Sequence, residues 1–135
     1  MPIKSFDFAK GRTVDLDRRR AIVGESDEEN TNILIQLLKD LKIQFLGKAQ
    51  DERRAAELVR KFQTGMLFLD LANEKYDAFA LLAKVRAQYP EMSVILTSKE
   101  ANKDIIAKAV KSGAAGFLLA PYQLDALSKL VKRLE

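Results

Sequence analysis

Chemistry in this chain of 135 residues has to be done without histidine or cysteine. That absence excludes disulfides, thiolate or imidazole metal sites, and Cys or Ser/His nucleophile pairs. What remains is carboxylates, hydroxyls, amines and backbone. Asp70 is the most conspicuous of these, because in "MLFLD" four apolar residues drive straight into a charge. A buried, unpaired carboxylate is costly, so an aspartate there sits either at a solvated strand end or in a site. Other polar residues follow other short apolar runs in the same way. Glu25 and Ser26 come after "RAIVG", Thr97 and Ser98 close "SVILTS", and an Ala120-Pro121 turn follows "GFLL".

These residues need elements to position them, and the pattern supplies alternating strands and helices from Arg20 onward. "RAIVG" reads as a short strand. "SDEENTNILIQLLKDL" reads as a helix, its Ile33, Leu34, Leu37, Leu38 and Leu41 recurring at helical spacing. "KIQFLGKA" is the second strand, "DERRAAELVRKF" a polar helix with a narrow stripe of Ala55, Leu58 and Phe62, and "MLFLD" a strand of the kind buried on both faces. A third helix, "AFALLAKVRAQ", stops at Tyr89-Pro90 because the residue before proline avoids the helical region. "SVILT" follows, then the helix "KDIIAKAVKSG" with Gly113 suited to a left-handed cap. The strand "GFLL" and the helix "QLDALSKLVKRL", expected to bury Leu124, Leu127, Val131 and Leu134, complete the chain.

Five strands alternating with five helices predict an α/β fold, a parallel sheet covered on both faces through right-handed crossovers. In such sheets ligands sit beyond the carboxyl ends of the strands, at the point where strand order reverses. The strand-end residues Glu25, Ser26, Asp70, Thr97 and Ala120 should therefore share one rim.

With 47% hydrophobic and 31% charged residues, the chain is sized for one domain with a real core. Residues 20–135 form that domain, and residues 1–19 read as a loosely ordered arm with at most a short element at "KSFDFA". No apolar run approaches the roughly 18 residues of a membrane span, and "MPIKSFDFAKGRTVDLDRRR" lacks a signal-peptide centre, so a cytoplasmic protein that does not engage membranes is expected. The net charge of +4 is uneven. Residues 1–20 carry six basic groups against three acids, which leaves +1 for the body, too little for a nucleic-acid footprint.

The rim residues, in order and at matching strand ends, resemble the CheY-like response-regulator receiver domains of two-component signalling. "LFLDLANEKYDAFALLAKVR" is similar to the family's phosphoacceptor segment, "VILTS" to its switch-hydroxyl strand, and "SGAAGFLLAPY" to its aromatic-switch and Lys-Pro segment. The resemblance covers Arg20 to Glu135 and implies a flavodoxin-like (βα)5 fold with strand order 2-1-3-4-5. It implies that Asp70 is the phosphoacceptor, a carboxylate nucleophile that takes a phosphoryl group from phosphohistidine or a small acyl phosphate. Thr97 matches the hydroxyl that bonds the phosphoryl oxygens, and Phe117 the aromatic whose rotamer follows it. Ala120-Pro121 is implied to keep a cis peptide.

Several positions depart from the family pattern. Where the family has two adjacent acids, this chain has Glu25-Ser26; a magnesium ion would then rely on Asp70, the carbonyl of Ala72 and Glu25, with weakened affinity. Glu25 reads equally as a ligand or a solvated rim acid. "SDEE" reads as a capping box, which favours Ser26 as the N-cap over Ser26 as a ligand, with Asp27 pointing away. Ala120 stands where the family's lysine neutralises the phosphoryl group, and Glu74 and Ala78 replace a loop proline and glycine.

The expected function is a stand-alone receiver in a phosphorelay, not a turnover enzyme, with impaired chemistry at Asp70. Its partners would be a histidine kinase or phosphotransfer protein in trans and a downstream protein at the last strand and helices. Two alternatives stand beside it. One is a pseudo-receiver acting as an interaction module without phosphotransfer. The other is an effector binding cyclic dinucleotides through the arginines of "RTVDLDRRR".

Overall fold

A computed structural model describes the backbone of residues 4–7 and 12–15, and residues 18–134 throughout. Near the amino end, β1 (Lys4–Asp7) pairs antiparallel with β2 (Arg12–Asp15), in a register that sets Lys4 opposite Asp15 and Asp7 opposite Arg12. The arm thus contains a two-stranded ribbon where the sequence offered one short element. Four-residue runs are too brief to show a period, and only the pairing reveals them. The rest of "KSFDFA", Phe8 and Ala9, lies outside the described residues.

From Arg20 the elements alternate as β3 (Arg20–Gly24), α1 (Glu28–Asp40), β4 (Gln44–Lys48), α2 (Glu52–Phe62), β5 (Gly65–Asp70), α3 (Ala78–Gln88), β6 (Met92–Ser98), α4 (Lys103–Lys111), β7 (Gly116–Leu119) and α5 (Leu124–Leu134). Strands β3 to β7 form a five-stranded parallel sheet in the order β4-β3-β5-β6-β7, which is 2-1-3-4-5 counted from β3. The order reverses between β3 and β5, so the rim above those two strands is where a site is expected.

Side chains alternate across the strands, and the core divides accordingly. Ile22, Leu67, Leu69, Val94 and Leu96 face α2 and α3. Ala21, Val23, Met66, Phe68, Ile95 and Leu118 face α1 and α5, against Leu34, Leu38, Leu127, Leu130 and Val131. Every residue of β5 is buried, as its unbroken apolar run predicts for a central strand. The helix stops fall where the sequence places them: α3 ends before Tyr89-Pro90, and Gly113 adopts φ +82° just past α4.

Two local expectations are corrected. Leu124 is not part of the core but 44% exposed, because the buried stripe of α5 runs through Leu127, Leu130 and Val131. Ser26 does not cap α1. The cap is Asp27, whose Oδ1 accepts from the Asn30 amide at 2.9 Å. Aspartate caps as well as serine does, and the shift of one residue releases the Ser26 hydroxyl for another partner.

Candidate functional site

Strand parity decides which side chains meet. Glu25 is two residues past Val23, Asp70 two past Phe68, Thr97 two past Ile95 and Ala120 two past Leu118, so all four inherit the α1/α5 face of the sheet. Register does the rest: Asp70 lies beside Thr97 across β5 and β6, and the Ala120 amide donates to the Ser98 carbonyl at 2.8 Å. Phe117 has the opposite parity. It sits opposite Leu96, half-buried on the α4 side, where it lines a cavity with Ile106, Ala109 and Val110.

Asp70 is 5% exposed, and both its oxygens are engaged. Oδ2 accepts from the Ser26 amide at 3.2 Å and, through a short contact, from the Ser26 hydroxyl; Oδ1 accepts from the Ala72 amide at 3.0 Å. Burial pushes its pKa up, but the Ser26 hydroxyl, the Ala72 amide and the neighbouring Glu25 outweigh it, and the net shift is downward. The carboxylate is therefore held charged.

Glu25 is 4% exposed, so the structure replaces a solvated rim acid with a buried one. Its Oε1 accepts from the Asp27 amide at 3.2 Å and its Oε2 from the Tyr122 hydroxyl in a short contact. Desolvation raises its pKa; the Tyr122 bond opposes this and Asp70 reinforces it. Burial and Glu25 together push the Tyr122 phenol up as well, so it remains a donor at neutral pH.

Tyr122 and Tyr76 are the site residues that sequence reasoning passed over. The Tyr76 hydroxyl accepts from the Asp70 amide at 2.8 Å and donates to the Gly24 carbonyl, tying the end of β3 to the end of β5. That approach needs glycine: a Cβ on Gly24 would lie 2.8 Å from the Phe68 carbonyl oxygen and 3.0 Å from the Tyr76 hydroxyl. Asn73 supports the same loop, donating to the Gln50 carbonyl at 3.1 Å and accepting from the Lys75 amide at 2.8 Å. The available signal was chemical, since a tyrosine drawn into a core must bring its hydroxyl to a partner.

Thr97 is 1% exposed, and its hydroxyl makes no hydrogen bond of good geometry among the described residues. The Tyr122 hydroxyl lies near it, and Asp70 is on the neighbouring strand. The Ala120-Pro121 bond is cis, as the resemblance implied.

The family model for the response regulator receiver domain matches residues 21–132. The chain belongs to the response regulator receiver family. This receiver is 26% identical over 100 residues to the chemotaxis protein CheY of Listeria monocytogenes, covering 71% of the chain and 84% of that protein. It is 25% identical over 96 residues to the transcriptional regulatory protein DegU of Brevibacillus brevis, matching 71% of this chain but spanning only 41% of DegU's length. Among solved structures, a response regulator from Thermotoga maritima superposes with a TM-score of 0.74 at 24% identity, over 85% of this chain and 95% of that one. CheY4 of Vibrio cholerae gives 0.75 at 19% identity, over 86% and 98%. These structures confirm the flavodoxin-like fold.

Receiver domains serve as signalling modules in two-component systems, generally without enzymatic turnover, and are partnered by histidine kinases or phosphotransfer proteins. They generally bind Mg2+ at the phosphorylation site. In this receiver the donor set suits that ion in kind, because Glu25 and Asp70 are hard carboxylates close enough to bear on each other's protonation. It is short in number. No group of three acidic residues able to hold a metal occurs among the described residues. No described helix is long and apolar enough to cross a membrane.

Proposed function

We propose that this receiver accepts a phosphoryl group on Asp70 from a histidine kinase or phosphotransfer protein acting in trans, with chemistry slower than its relatives'. In the step itself, a carboxylate oxygen of Asp70 attacks phosphorus, the P–N bond to the donor imidazole breaks with its electron pair going to nitrogen, and an acyl phosphate forms. The observation that carries this reading is the buried Thr97 hydroxyl, without a well-formed hydrogen bond among the described residues, on the strand next to a carboxylate held in its charged form. Oδ1, with the single Ala72 amide, is the less encumbered nucleophile.

Impairment follows from the same geometry. Ser26 adds a hydroxyl donor to Asp70 where a second acid would add charge, and donation into a carboxylate lowers its nucleophilicity. A magnesium ion would be held by Glu25, Asp70 and the Ala72 carbonyl, where it would offset negative charge, more weakly than in a three-acid site. Ala120 supplies no cation.

The response would be read at the face of α4, β7 and α5. Ile106, Val110 and Leu119 are exposed there at 42%, 72% and 43%, among Lys103, Lys111, Lys132 and Arg133. The pseudo-receiver reading draws on the same Ser26 and Ala120 positions. No observation favours the dinucleotide reading: Arg20 donates to the carbonyls of Phe62 at 2.7 Å and Thr64 at 3.2 Å, Arg19 to that of Leu41 at 3.0 Å, and Arg18 pairs with Glu91.

The test is an amide NMR spectrum with magnesium and beryllofluoride, in wild type and Asp70→Ala. Shifts at Thr97, Phe117 and α4, lost in the variant, are the expected result. An unresponsive wild type would leave the pseudo-receiver.

A further inference from the structure

Beside the acid pocket lies a cavity of about 400 Å³ lined by Asp27, Glu29, Asn30, Lys99, Ala120 and Pro121. Ala120 contributes only a methyl group to its lining, at a position on the same face of the sheet as Asp70 and Thr97. Lys99 follows directly on the end of β6, and the bond from the Ala120 amide to the Ser98 carbonyl brings it next to Ala120. Lys99 is the cation among the cavity's lining residues. Its backbone is held by the turn in which the Glu100 amide donates to the Ser98 Oγ at 3.0 Å, while its ammonium lies 3.7 Å from Asp27 Oδ2. The Lys99 and Asp27 side chains are 65% and 39% exposed, so their ion pair is weak and easily exchanged.

We propose that Lys99 supplies from the end of β6 the positive charge that position 120 lacks at the end of β7, leaving Asp27 to bind the oxygens of a phosphoryl group on Asp70. This rests on Asp70 being the acceptor. Lys99 neither gains nor loses a proton in the step; the Asp70–phosphorus bond forms, the bond to the donor breaks, and the ammonium stabilises the charge on the equatorial oxygens. Glu29 and Asp27 line the same cavity and oppose entry of an anion, so the transfer of Lys99 from Asp27 to the phosphoryl group is what makes the cavity hospitable to it.

The test is the rate of Asp70 phosphorylation by phosphoramidate with magnesium, followed by phosphate-affinity electrophoresis, in wild type, Asp70→Asn, Lys99→Gln, Ala120→Lys and the double variant Lys99→Gln/Ala120→Lys. Lys99→Gln should slow the Asp70-dependent reaction about tenfold, the scale of one lost charged contact. The double variant should recover to within about threefold of wild type, because a lysine at either strand end fills one role. Lys99 is exposed, so thermal melts of Lys99→Gln and wild type should coincide, which separates charge from folding. An unchanged rate in Lys99→Gln, with Asp70→Asn inactive, overturns the Lys99 proposal and leaves the receiver reading standing. A wild type that is not phosphorylated at all, or a reaction that survives in Asp70→Asn, overturns both.

Discussion

The two halves of the rim are built on opposite principles. Above β3 and β5, polar groups interlock: Ser26 and Ala72 hold Asp70, Tyr122 and the Asp27 amide hold Glu25, and Tyr76 joins the Gly24 carbonyl to the Asp70 amide. Above β6 and β7, the buried Thr97 hydroxyl makes no well-formed hydrogen bond among the described residues, although it lies near the Tyr122 hydroxyl, Ala120 lines a cavity, and Lys99 pairs with a half-exposed acid. The first half is already satisfied and should resist change. The second has polar capacity less fully used, and the proposed phosphoryl group would meet its donors there.

The contrast can be broken most forcefully at Tyr76. Tyr76→Phe takes the hydroxyl acceptor from the Asp70 amide and leaves the Gly24 carbonyl only the longer 3.5 Å bond from Asn73 Nδ2, both in buried surroundings, and should cost about 2 kcal/mol in urea denaturation. Ser26→Ala should cost about 1 kcal/mol at pH 7, since a single charge-assisted bond at a partly open position is lost. Because Asp70's folded pKa lies below its ordinary 3.8, this contribution is present above that value and fades as pH falls through the folded pKa. The two proteins should therefore converge in stability only at a pH below 3.8, as Asp70 takes up its proton in the folded state.

Glu25 has the opposite sign. Its folded pKa lies above the ordinary 4.5, so its contribution is full below that value and is lost as pH rises through the folded pKa. Glu25→Gln, which keeps an acceptor for Tyr122, should stabilise by up to about 1 kcal/mol at pH 7, with the gain vanishing near pH 4. The smallest effect belongs to the open half. Thr97→Val removes a hydroxyl that makes no well-formed hydrogen bond among the described residues, at constant shape, and should change stability by no more than about 0.5 kcal/mol, while abolishing the beryllofluoride response. A loss there as large as that of Tyr76→Phe would show that the two halves do not differ.

Much of this was legible in the residues. The unbroken run before Asp70 marked a central strand, alternation placed Glu25, Thr97 and Ala120 on its rim, and Pro90 and Gly113 ended helices on cue. Two of the misreadings were local choices between near-equals. Ser26 and Asp27 are both good caps, and serine's release from that role is what gives Asp70 its hydroxyl donor. Leu124 fits a helical stripe as well as Leu130 does, and only the sheet's position selects which stripe faces inward.

Periodicity and breakers acting over a few residues were enough to establish the element order, the strand that carries Asp70 and the residues that reach its rim. The tertiary structure alone decided that Glu25 is buried, that Tyr122 and Tyr76 lock one half of the rim, and that Lys99 lies beside the gap at Ala120. Those outcomes join residues tens of positions apart, up to the 97 between Glu25 and Tyr122, and only a folded sheet fixes such distances.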